Sequence, residues 1–465
     1  MRQLSITLLF PIIACAQWSN DSQNNLIISD RSGEQAQAKI VAADDGYSYI
    51  SWFDNSDGGY DVYLQRLDSN GIEQWAHNGI LIADRGDSST QDYGVSIDTT
   101  GNALLTFRDD RNGIERITAN KISTTGDLLW GDSGVQVSGT TGFLAAPKVA
   151  GTTDGNIVVA WTHDAEVVIQ KLDPNGLPLW GEGVIQSAID TAFIASDLKA
   201  SDQGNVIVSM VESTTFSSPK HIFAQKLASL DGAPLWGMNP LAIFDLDNGS
   251  LQFGNFPSFI TDDTGGAIFT WYTSSPSLNC WVQRVDSSGM EYFNHNGLAT
   301  STNASQLRVS PTSSFNSKTD EIYSFWVEIN NNQSQSGVYA QKFNALGERQ
   351  WTENGKELLP LSQSQKSFIQ TSVINNEPMV AWINSFSFNN DIIQGTQINS
   401  QGNFNWTPEI VEIGSNTNTD SRLSSAVNSN NFAMFVWSEA TDIKAQNLNP
   451  DGSLGMDEIF ANGFE

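Results

Sequence analysis

The sequence predicts an all-β protein: an eight-bladed β-propeller of four-stranded antiparallel blades, closed by an N-terminal strand. Three observations predict this class: a phrase that recurs along the whole chain, a composition typical of strands and turns, and strands that are apolar on both faces. The length of 465 residues alone would suggest several domains, so the repeat decides the interpretation. A ring of seven blades is the alternative.

The recurring phrase has the form I-x-x-Q-R/K-L-D-x-x-G-x-x-x-W, and it follows an apolar strand that also ends in a large residue. Successive copies are 50–58 residues apart. The closing aromatic residues are Trp18, Trp75, Trp130, Trp180, Trp236, Phe293, Trp351 and Trp406. The residues near the end of the apolar strand are Trp52, Phe107, Trp161, Met210, Trp271, Trp326, Trp382 and Trp437. Of the 14 tryptophans only Trp281 lies outside both series, so packing within the repeat explains nearly all of them.

Each repeat contains four strand-like segments, labelled A to D. In the third repeat they cover residues 147–150, 157–161, 167–172 and 177–180, with Asp, Asn and Gly in the turns. Segment B is apolar on both faces, as a sheet packed between two neighbouring sheets requires. This pattern favours propeller blades over an open sandwich, whose strands would alternate more cleanly.

The repeats also predict how the ring closes. Segments A to C occur eight times, beginning near residues 36, 92, 146, 197, 257, 307, 369 and 422. The eighth set has no closing tryptophan, whereas Trp18 and the strand at 26–30 stand alone at the front and match Trp75 with 80–84. We therefore expect the N-terminal segment to complete the last blade, which removes exposed sheet edges.

The charge excludes several classes of partner. The chain has 52 acidic and 23 basic residues, a formal net charge of −29 spread along its length. Such a surface repels nucleic-acid phosphates and anionic membranes. Two interpretations stay open: a surface that keeps the protein soluble in salty or extracellular water, or one that partly binds cations.

Residues 1–16 have the features of an export signal: Arg2, an apolar stretch at 4–13 and a small-x-small site at 14–16. Cleavage there would leave Gln17 first. Residues 12–15 also resemble a bacterial lipobox, which would make Cys15 a lipid anchor. The predicted organisation is a signal peptide at 1–16, a propeller domain at 17–456 and a tail at 457–465. We expect no transmembrane segment.

Chemical motifs are sparse. No zinc-binding spacing and no nucleophile elbow occur in the sequence. His77 and His295 occupy the same repeat position with three blades between them, which favours a role in a turn over joint metal ligation. Cys280 lies in an apolar run and is expected to be a buried, inert thiol. The glutamine of segment C recurs in six repeats and predicts a structural hydrogen bond, at Gln65, Gln170, Gln225, Gln283, Gln341 and Gln446.

One set of polar residues begins the B–C loops, two positions past each residue of the second series. Its members are Asp54, Asp109, His163, Glu212, Thr273, Glu328, Asn384 and Glu439. Equivalent positions of a propeller form a ring, so this ring is the candidate binding site for a cation or a cationic ligand. The alternative is that polar residues simply begin hairpin loops. Asp54, Asp57 and Asp61 in the first of these loops are the candidate calcium ligands.

The C–D phrase, as at 67–75 and 172–180, resembles the tryptophan-docking repeat of PQQ-type propellers, with one residue fewer between Asp and Gly. The resemblance implies eight blades. It does not extend to the quinone cofactor, because the adjacent cysteine pair of those dehydrogenases is missing from this chain. The fragments 52–54 and 110–113 resemble repeat proteins exported by bacteria, and the ending 459–465 resembles a C-terminal signature of exported gammaproteobacterial proteins.

These features predict an exported, non-enzymatic propeller that needs no cofactor and binds a protein or a glycan at the cell surface or outside the cell. One alternative is a secreted carbohydrate-active enzyme with a carboxylate pair in its channel. Another is a periplasmic or outer-membrane assembly scaffold, by analogy with cofactor-free PQQ-like propellers. A lipidated Cys15 would favour the scaffold, and a free Gln17 would favour secretion.

Overall fold

The computed structural model describes residues 17–86, 93–111, 113–139, 141–215, 217–415, 418 and 420–456. Its strands form eight separate antiparallel sheets. Each sheet is one blade, and the first strands of successive blades contact one another around a ring. The prediction of an eight-bladed β-propeller is confirmed. The predicted signal segment, with Cys15, and the predicted tail lie outside the described residues.

Blades 1 to 4 contain strands β2 to β17, given in the order A, B, C, D. Blade 1 contains β2 (Gln35–Ala42), β3 (Ser48–Asp54), β4 (Asp61–Leu67) and β5 (Ile80–Ala83). Blade 2 contains β6 (Gly94–Ile97), β7 (Ala103–Asp109), β8 (Arg116–Ile122) and β9 (Val135–Gln136). Blade 3 contains β10 (Leu144–Gly151), β11 (Ile157–His163), β12 (Glu166–Leu172) and β13 (Val184–Gln186). Blade 4 contains β14 (Ala192–Ala200), β15 (Val206–Ser213), β16 (Lys220–Leu227) and β17 (Leu241–Phe244), with a 3-10 turn at Asp202–Gly204.

Blades 5 to 8 contain the remaining strands. Blade 5 has a divided strand A, β18 (Ser250–Leu251) and β19 (Phe259–Thr261), then β20 (Ala267–Ser275), β21 (Asn279–Val285) and β22 (Leu298–Ala299). Blade 6 contains β23 (Gln306–Asn316), β24 (Glu321–Asn330), β25 (Ser336–Phe343) and β26 (Lys356–Ser362). Blade 7 contains β27 (Gln365–Ile374), β28 (Glu377–Ser387), β29 (Asn390–Gln397) and β30 (Val411–Gly414). Blade 8 contains β31 (Asp420–Val427), β32 (Ala433–Glu439), β33 (Asp442–Leu448) and β1 (Leu26–Ser29).

The N-terminal strand closes the ring as predicted. Strand β1 pairs antiparallel with β33, with Leu26 opposite Ala445, and β31 of the last blade contacts β2 of the first. Trp18 is 2% exposed, and its indole N–H donates to the carbonyl of Ser69 in blade 1 at 3.1 Å. The first described segment therefore joins the last blade to the first.

The closing aromatic residues fasten each blade to the next. Every one packs on the glycine of the following C–D turn, where a Cβ would come within 2.6–3.3 Å of it: 2.7 Å from Trp18 at Gly71, and 2.8 Å from Trp406 at Gly452. These glycines have positive φ, which side chains other than Gly rarely adopt. The full set of glycines is Gly71, Gly126, Gly176, Gly232, Gly289, Gly347, Gly402 and Gly452. The second series is buried inside the blades, with Trp52, Trp271, Trp326, Trp382 and Trp437 among the largest fully buried side chains.

The glutamine of strand C makes the predicted structural hydrogen bonds. In blade 1 the Gln65 amide donates to the carbonyl of Ala76, and its oxygen accepts from the backbone N–H groups of Arg66 and Trp75. The same pattern recurs at Gln170, Gln225, Gln283 and Gln341. Strand C and the turn that follows it are thereby locked together. Within the described ranges, no helix has the length and hydropathy needed to cross a membrane.

Candidate functional site

The eight predicted ring residues end strand B or lie within three residues of its end, on the face of the B–C loops. All but Asp109 lie opposite the start of strand A, as Asp54 does opposite Gln35 and Glu328 opposite Arg308. Six of the eight are at most 5% exposed: Asp54, Asp109, Thr273, Glu328, Asn384 and Glu439. The ring therefore lies largely inside the blades.

The buried carboxylates of this ring have partners in or next to their own blade. Arg111 contacts Asp109 at 2.7 Å, and this arginine lowers the pKa of Asp109 although burial raises it. Glu328 accepts from the indole of Trp326 at 2.6 Å and lies 3.2 Å from the Arg308 guanidinium. Burial raises the pKa of Glu328 despite these contacts. Such local pairing supports the loop-start interpretation, while ligand binding by the ring stays a prediction.

The other ring members also have their hydrogen-bond or ion-pair partners in or next to their own blade. Their partners are the Thr141 carbonyl for His163, Thr191 and His221 for Glu212, the Ser277 carbonyl for Thr273, Gln394 for Asn384, and Lys444 and Asn418 for Glu439. None of these contacts links two ring members to each other.

The candidate calcium loop is held by arginines. Arg31 lies 3.3 Å from the Asp54 carboxylate and 2.6 Å from that of Asp57. Asp61 accepts from the backbone N–H of Arg85 at 2.7 Å, and burial raises the pKa of Asp61. In the part of the chain that the structure describes, no group of three or more His, Cys, Asp or Glu side chains is arranged to hold a metal ion. A cation at this loop would have to displace Arg31.

His77 and His295 form the same contact between adjacent blades. Each ring lies between a glutamate four residues earlier and an aspartate that follows strand D of the preceding blade. For His295 these partners are Glu291 at 3.1 Å and Asp245 at 2.8 Å. Burial lowers the pKa of His295, but the two carboxylates outweigh it and the net direction is upward. Cys280 is fully buried, and burial raises its thiol pKa well above the usual value, as an inert thiol requires.

A carboxylate cluster that the repeat did not predict lies in blades 7 and 8. Asp420 is 6% exposed, and its backbone N–H donates to the Asp391 carboxylate at 2.8 Å. Burial, together with the charges of Glu439 and Asp391, raises the pKa of Asp420 to about 8. This raised pKa favours the protonated form of Asp420. Asp420 occupies a position that is not acidic in the other repeats where strand A pairs there, so the sequence pattern gave no signal for it.

The central channel is lined by residues whose arrangement the sequence did not predict. A cavity of about 570 Å³ lies between the first halves of the A strands, and a second of about 840 Å³ lies at the A–B turns. Ile40, Val41 and Lys199 line both, so the cavities are consecutive parts of one channel. The channel mouth is defined here as the 570 Å³ cavity. Its charged lining residues are Lys39, Lys148, Lys199, Arg422 and Asp197.

Strand A contains a β-bulge in six blades. The register between strands A and B shifts at 36/39, 145/148, 195/197, 309/312, 367/370 and 421/424. Five of the bulged residues are non-glycine with φ of 49° to 61°: Gln37, Ala146, Ser310, Phe368 and Arg422. This left-handed conformation costs an L-residue about 1–2 kcal/mol. Three of the five, Gln37, Phe368 and Arg422, line the channel mouth.

No protein-family model matches the chain, and neither does any curated protein. Similar solved structures include prolyl oligopeptidase B from Galerina marginata bound to a 25mer macrocyclization substrate (10% identity, 90% of this chain, 56% of that one, TM-score 0.49). The Dos1 propeller is 10% identical over 91% of this chain and 94% of its own, with a TM-score of 0.46. The polysaccharide lyase Uly1 is 12% identical over 78% and 88%, with a TM-score of 0.42. This chain spans just over half the length of the prolyl oligopeptidase.

Fold and site together define a class: an eight-bladed β-propeller whose repeated residues pack the ring and whose polar channel differs from blade to blade. Likenesses at this level of identity leave function to be argued from the residues of this chain.

Proposed function

We propose that this chain is an exported, non-enzymatic binding propeller that holds a protein or a glycan on the face of the B–C loops and in the adjoining channel mouth. One observation carries the proposal. The side chains that recur in every blade are committed to packing and hydrogen bonds, whereas the channel mouth collects charged and aromatic side chains that follow no repeat. Side chains that follow the repeat stabilise the ring, whereas side chains that differ between blades can contact a ligand.

The closed ring also suits binding because it is preorganised. Eight inter-blade aromatic contacts and the pairing of β1 with β33 restrain every blade against its neighbours. A rigid site loses little conformational entropy when a ligand binds. Export is supported by the signal-like sequence at 1–16 and by the acidic composition of the chain.

The test is a binding screen with turnover measured on the same samples. Purified chain beginning at Gln17 would be screened against glycans and surface proteins, and each ligand would be recovered and analysed by mass spectrometry. We expect a ligand that binds and is recovered unchanged. A ligand that is cleaved or modified would overturn the non-enzymatic proposal.

The processed N-terminus tests the compartment. Intact mass of the protein isolated from its source would show either a free or cyclised Gln17 or a lipid-bearing Cys15. We expect Gln17. A lipidated Cys15 would favour the envelope scaffold over secretion.

A second candidate, a carbohydrate-active enzyme, is favoured by the blade 8 cluster. Burial and the charges of Glu439 and Asp391 raise the pKa of Asp420 to about 8, and a carboxylic acid with a raised pKa near other carboxylates is the arrangement of glycoside hydrolysis. Asp420 starts strand A two residues before Arg422 of the channel mouth. Release of reducing ends that is lost in Asp420→Asn but kept in Asp442→Asn would support this candidate.

A further inference from the structure

The B–C hairpin of blade 7 continues past the ring of B-strand ends. In blade 3 the ring residue His163 pairs with Glu166, and the chain turns directly after it. In blade 7 the ring residue Asn384 pairs with Ile392, and strands β28 and β29 stay paired beyond them before they turn. Blade 7 therefore carries a longer paired hairpin on the face of the B–C loops. Its residues 385–391 are called the blade 7 hairpin here.

Two phenylalanines of the blade 7 hairpin face solvent. Phe386 is 52% exposed and Phe388 is 89% exposed, although phenylalanine is usually a buried residue. Phe386 is the extra residue of a β-bulge, because the pairing shifts between Ser385 and Ser387. A bulge re-aims the side chain of its extra residue. Neither ring belongs to the hydrophobic cluster of blades 6 and 7, so packing does not explain why both are phenylalanine.

A pocket of about 420 Å³ lies beside these two rings. This volume is within the range of small-ligand sites, about 300–1,000 Å³. Besides the rings, the described lining consists of amide and hydroxyl side chains and one carboxylate: Gln363, Gln365, Ser385, Ser387, Asn389 and Asp391. The glutamines come from the end of the turn after β26 and from the start of β27, so two separate segments build the pocket.

Most of the polar groups in this pocket are not used by the fold. Four side chains of the lining have no hydrogen-bond partner within the described ranges: Gln363, Gln365, Ser385 and Ser387. The B–C loop of blade 6 differs, because the Asn330 side chain there bonds to Ser334 and Gln335 of the same loop. Amides and hydroxyls without an internal partner can both donate to and accept from a ligand.

The pocket offers little charge, although the chain has a formal net charge of −29. Asp391 is the one charged residue of the described lining. It is 4% exposed, and its carboxylate accepts from the backbone N–H of Asp420 at 2.8 Å. A ligand would therefore meet amides, hydroxyls and phenyl rings. These groups favour an uncharged ligand that has both hydroxyls and apolar faces.

We propose that the blade 7 hairpin and the pocket beside it bind a neutral oligosaccharide. Phe386 and Phe388 would pack against the apolar C–H faces of its sugar rings, while Gln363 and Gln365 would bind its hydroxyls. An apolar peptide segment would match the phenyl rings but would cover the amides without giving them partners. The inference rests on the proposed binding function and names its ligand class.

The test is isothermal titration of the chain from Gln17 with cellotetraose, maltotetraose and tetra-N-acetylchitotetraose, and with the charged tetragalacturonate. Each titration is made at low and at physiological ionic strength. We expect at least one of the three neutral oligosaccharides to bind, with an affinity that salt leaves unchanged because no ion pair forms. Tetragalacturonate should bind more weakly. Absence of binding by all three neutral oligosaccharides, or equal binding of tetragalacturonate, would overturn the proposal.

Phenylalanine variants locate the site. Phe386→Ala and Phe388→Ala should each weaken oligosaccharide binding about tenfold, since each removes a ring that packs against a sugar. The matched control is Phe143→Ala, which removes a ring of 55% exposure just before β10 in blade 3, on the opposite side of the propeller. This control should leave the affinity unchanged. Equal losses in all three variants would show unspecific contact with exposed phenyl rings and would overturn the site.

Gln365→Leu tests whether the site recognises hydroxyls. The substitution keeps the approximate size of the side chain and removes its amide, so the affinity should fall about fivefold. Unchanged or tighter binding would show that the patch is only apolar and would overturn the role of the amides. Thermal melts of the variants should match the wild type, because all the substituted side chains are exposed.

Failure of this inference and failure of the proposed function are distinguishable. A surface protein that binds while the three neutral oligosaccharides do not would remove the ligand class and keep the binding function. Cleavage of a bound oligosaccharide by the wild type, with weaker binding in Phe388→Ala, would keep the ligand class and remove the non-enzymatic function.

Discussion

Strands C and A of the same blades differ in which feature recurs from one blade to the next. Strand C repeats residue types: a glutamine, then a cation, then an apolar residue that is buried. Strand A repeats a backbone shape, the β-bulge, while its side chains change from blade to blade. The comparison teaches that side-chain identity is fixed where it holds the ring together and varies where it faces the channel.

The cations of strand C form a series of ion pairs. In blades 1 to 6 each contacts a carboxylate at the A–B turn: Arg66 with Asp45, Lys121 with Asp98, Lys171 with Asp154, Lys226 with Asp202, Arg284 with Asp262 and Lys342 with Glu321. Blades 7 and 8 have Gln397 and Asn447 instead, which bind backbone carbonyls. In strand A the described ion pairs follow no such series: Lys199, for example, contacts Asp197 of its own strand.

The largest effect should come from removing residues 17–30. This deletion takes β1 away from β33, the strand C of blade 8, and leaves that edge without its partner. We expect loss of the cooperative thermal transition and aggregation, measured by calorimetry and light scattering. A truncated chain that melts like the full one would mean that another segment covers β33.

The next test compares one lysine of each strand. Lys121→Met should destabilise the protein by about 3–5 kcal/mol, because it leaves the buried Asp98 carboxylate without its cation. Burial raises the pKa of Asp98, but Lys121 and the other donors lower it to about 2, so the carboxylate remains charged. Lys199→Met in strand A of blade 4 should change the free energy of unfolding by no more than about 1 kcal/mol, because its ion pair with Asp197 is partly exposed. Equal losses in denaturant titrations would break the comparison.

In strand A of blade 8, the raised pKa of Asp420 should make the free energy of unfolding depend on pH. The pKa of this carboxyl is raised to about 8 in the fold, against the ordinary 3.8, so the unfolded chain loses the proton first. Stability should therefore fall as pH rises from about 4 to 8, at up to about 1.4 kcal/mol per pH unit. Asp420→Asn should raise the melting temperature at pH 8.5 and change it little at pH 4. The opposite pH dependence would mean that Asp420 is ionised in the native state.

The smallest effect on the free energy of unfolding should come from a substitution at the β-bulge of strand A. Ser310 has φ of 51°, so Ser310→Gly should stabilise the protein by about 0.5–1 kcal/mol by relieving the left-handed conformation. Ser372→Gly, elsewhere in a strand A, should destabilise it by a similar amount because glycine gains freedom in the unfolded chain. Denaturant titrations of both variants would check the signs. Destabilisation by both would mean that the Ser310 side chain itself stabilises the bulge.

Much of the fold was predictable because it is local and periodic. The spacing of the tryptophans predicted the blades, the double-sided apolar strands predicted their stacking, and the orphan Trp18 predicted the closure. The predicted ring residues lie at or near the ends of the B strands, and ligand binding by them stays a prediction. The sequence did not predict that Arg31 and Arg308 contact two of its carboxylates, because Arg31 lies in the loop before strand A of blade 1, Arg308 lies in strand A of blade 6, and both contacts depend on how strand A pairs with strand B.

By itself, then, the sequence determined that eight repeating sheets form and that the first strand completes the last sheet. Period, turn residues and strand patterning act within about 50 residues, so they can be recognised along the chain. The tertiary structure alone decided that Lys39, Lys148 and Arg422 share one cavity. Their positions are far apart in the sequence, and only ring closure and the left-handed bulges bring such side chains to a common wall.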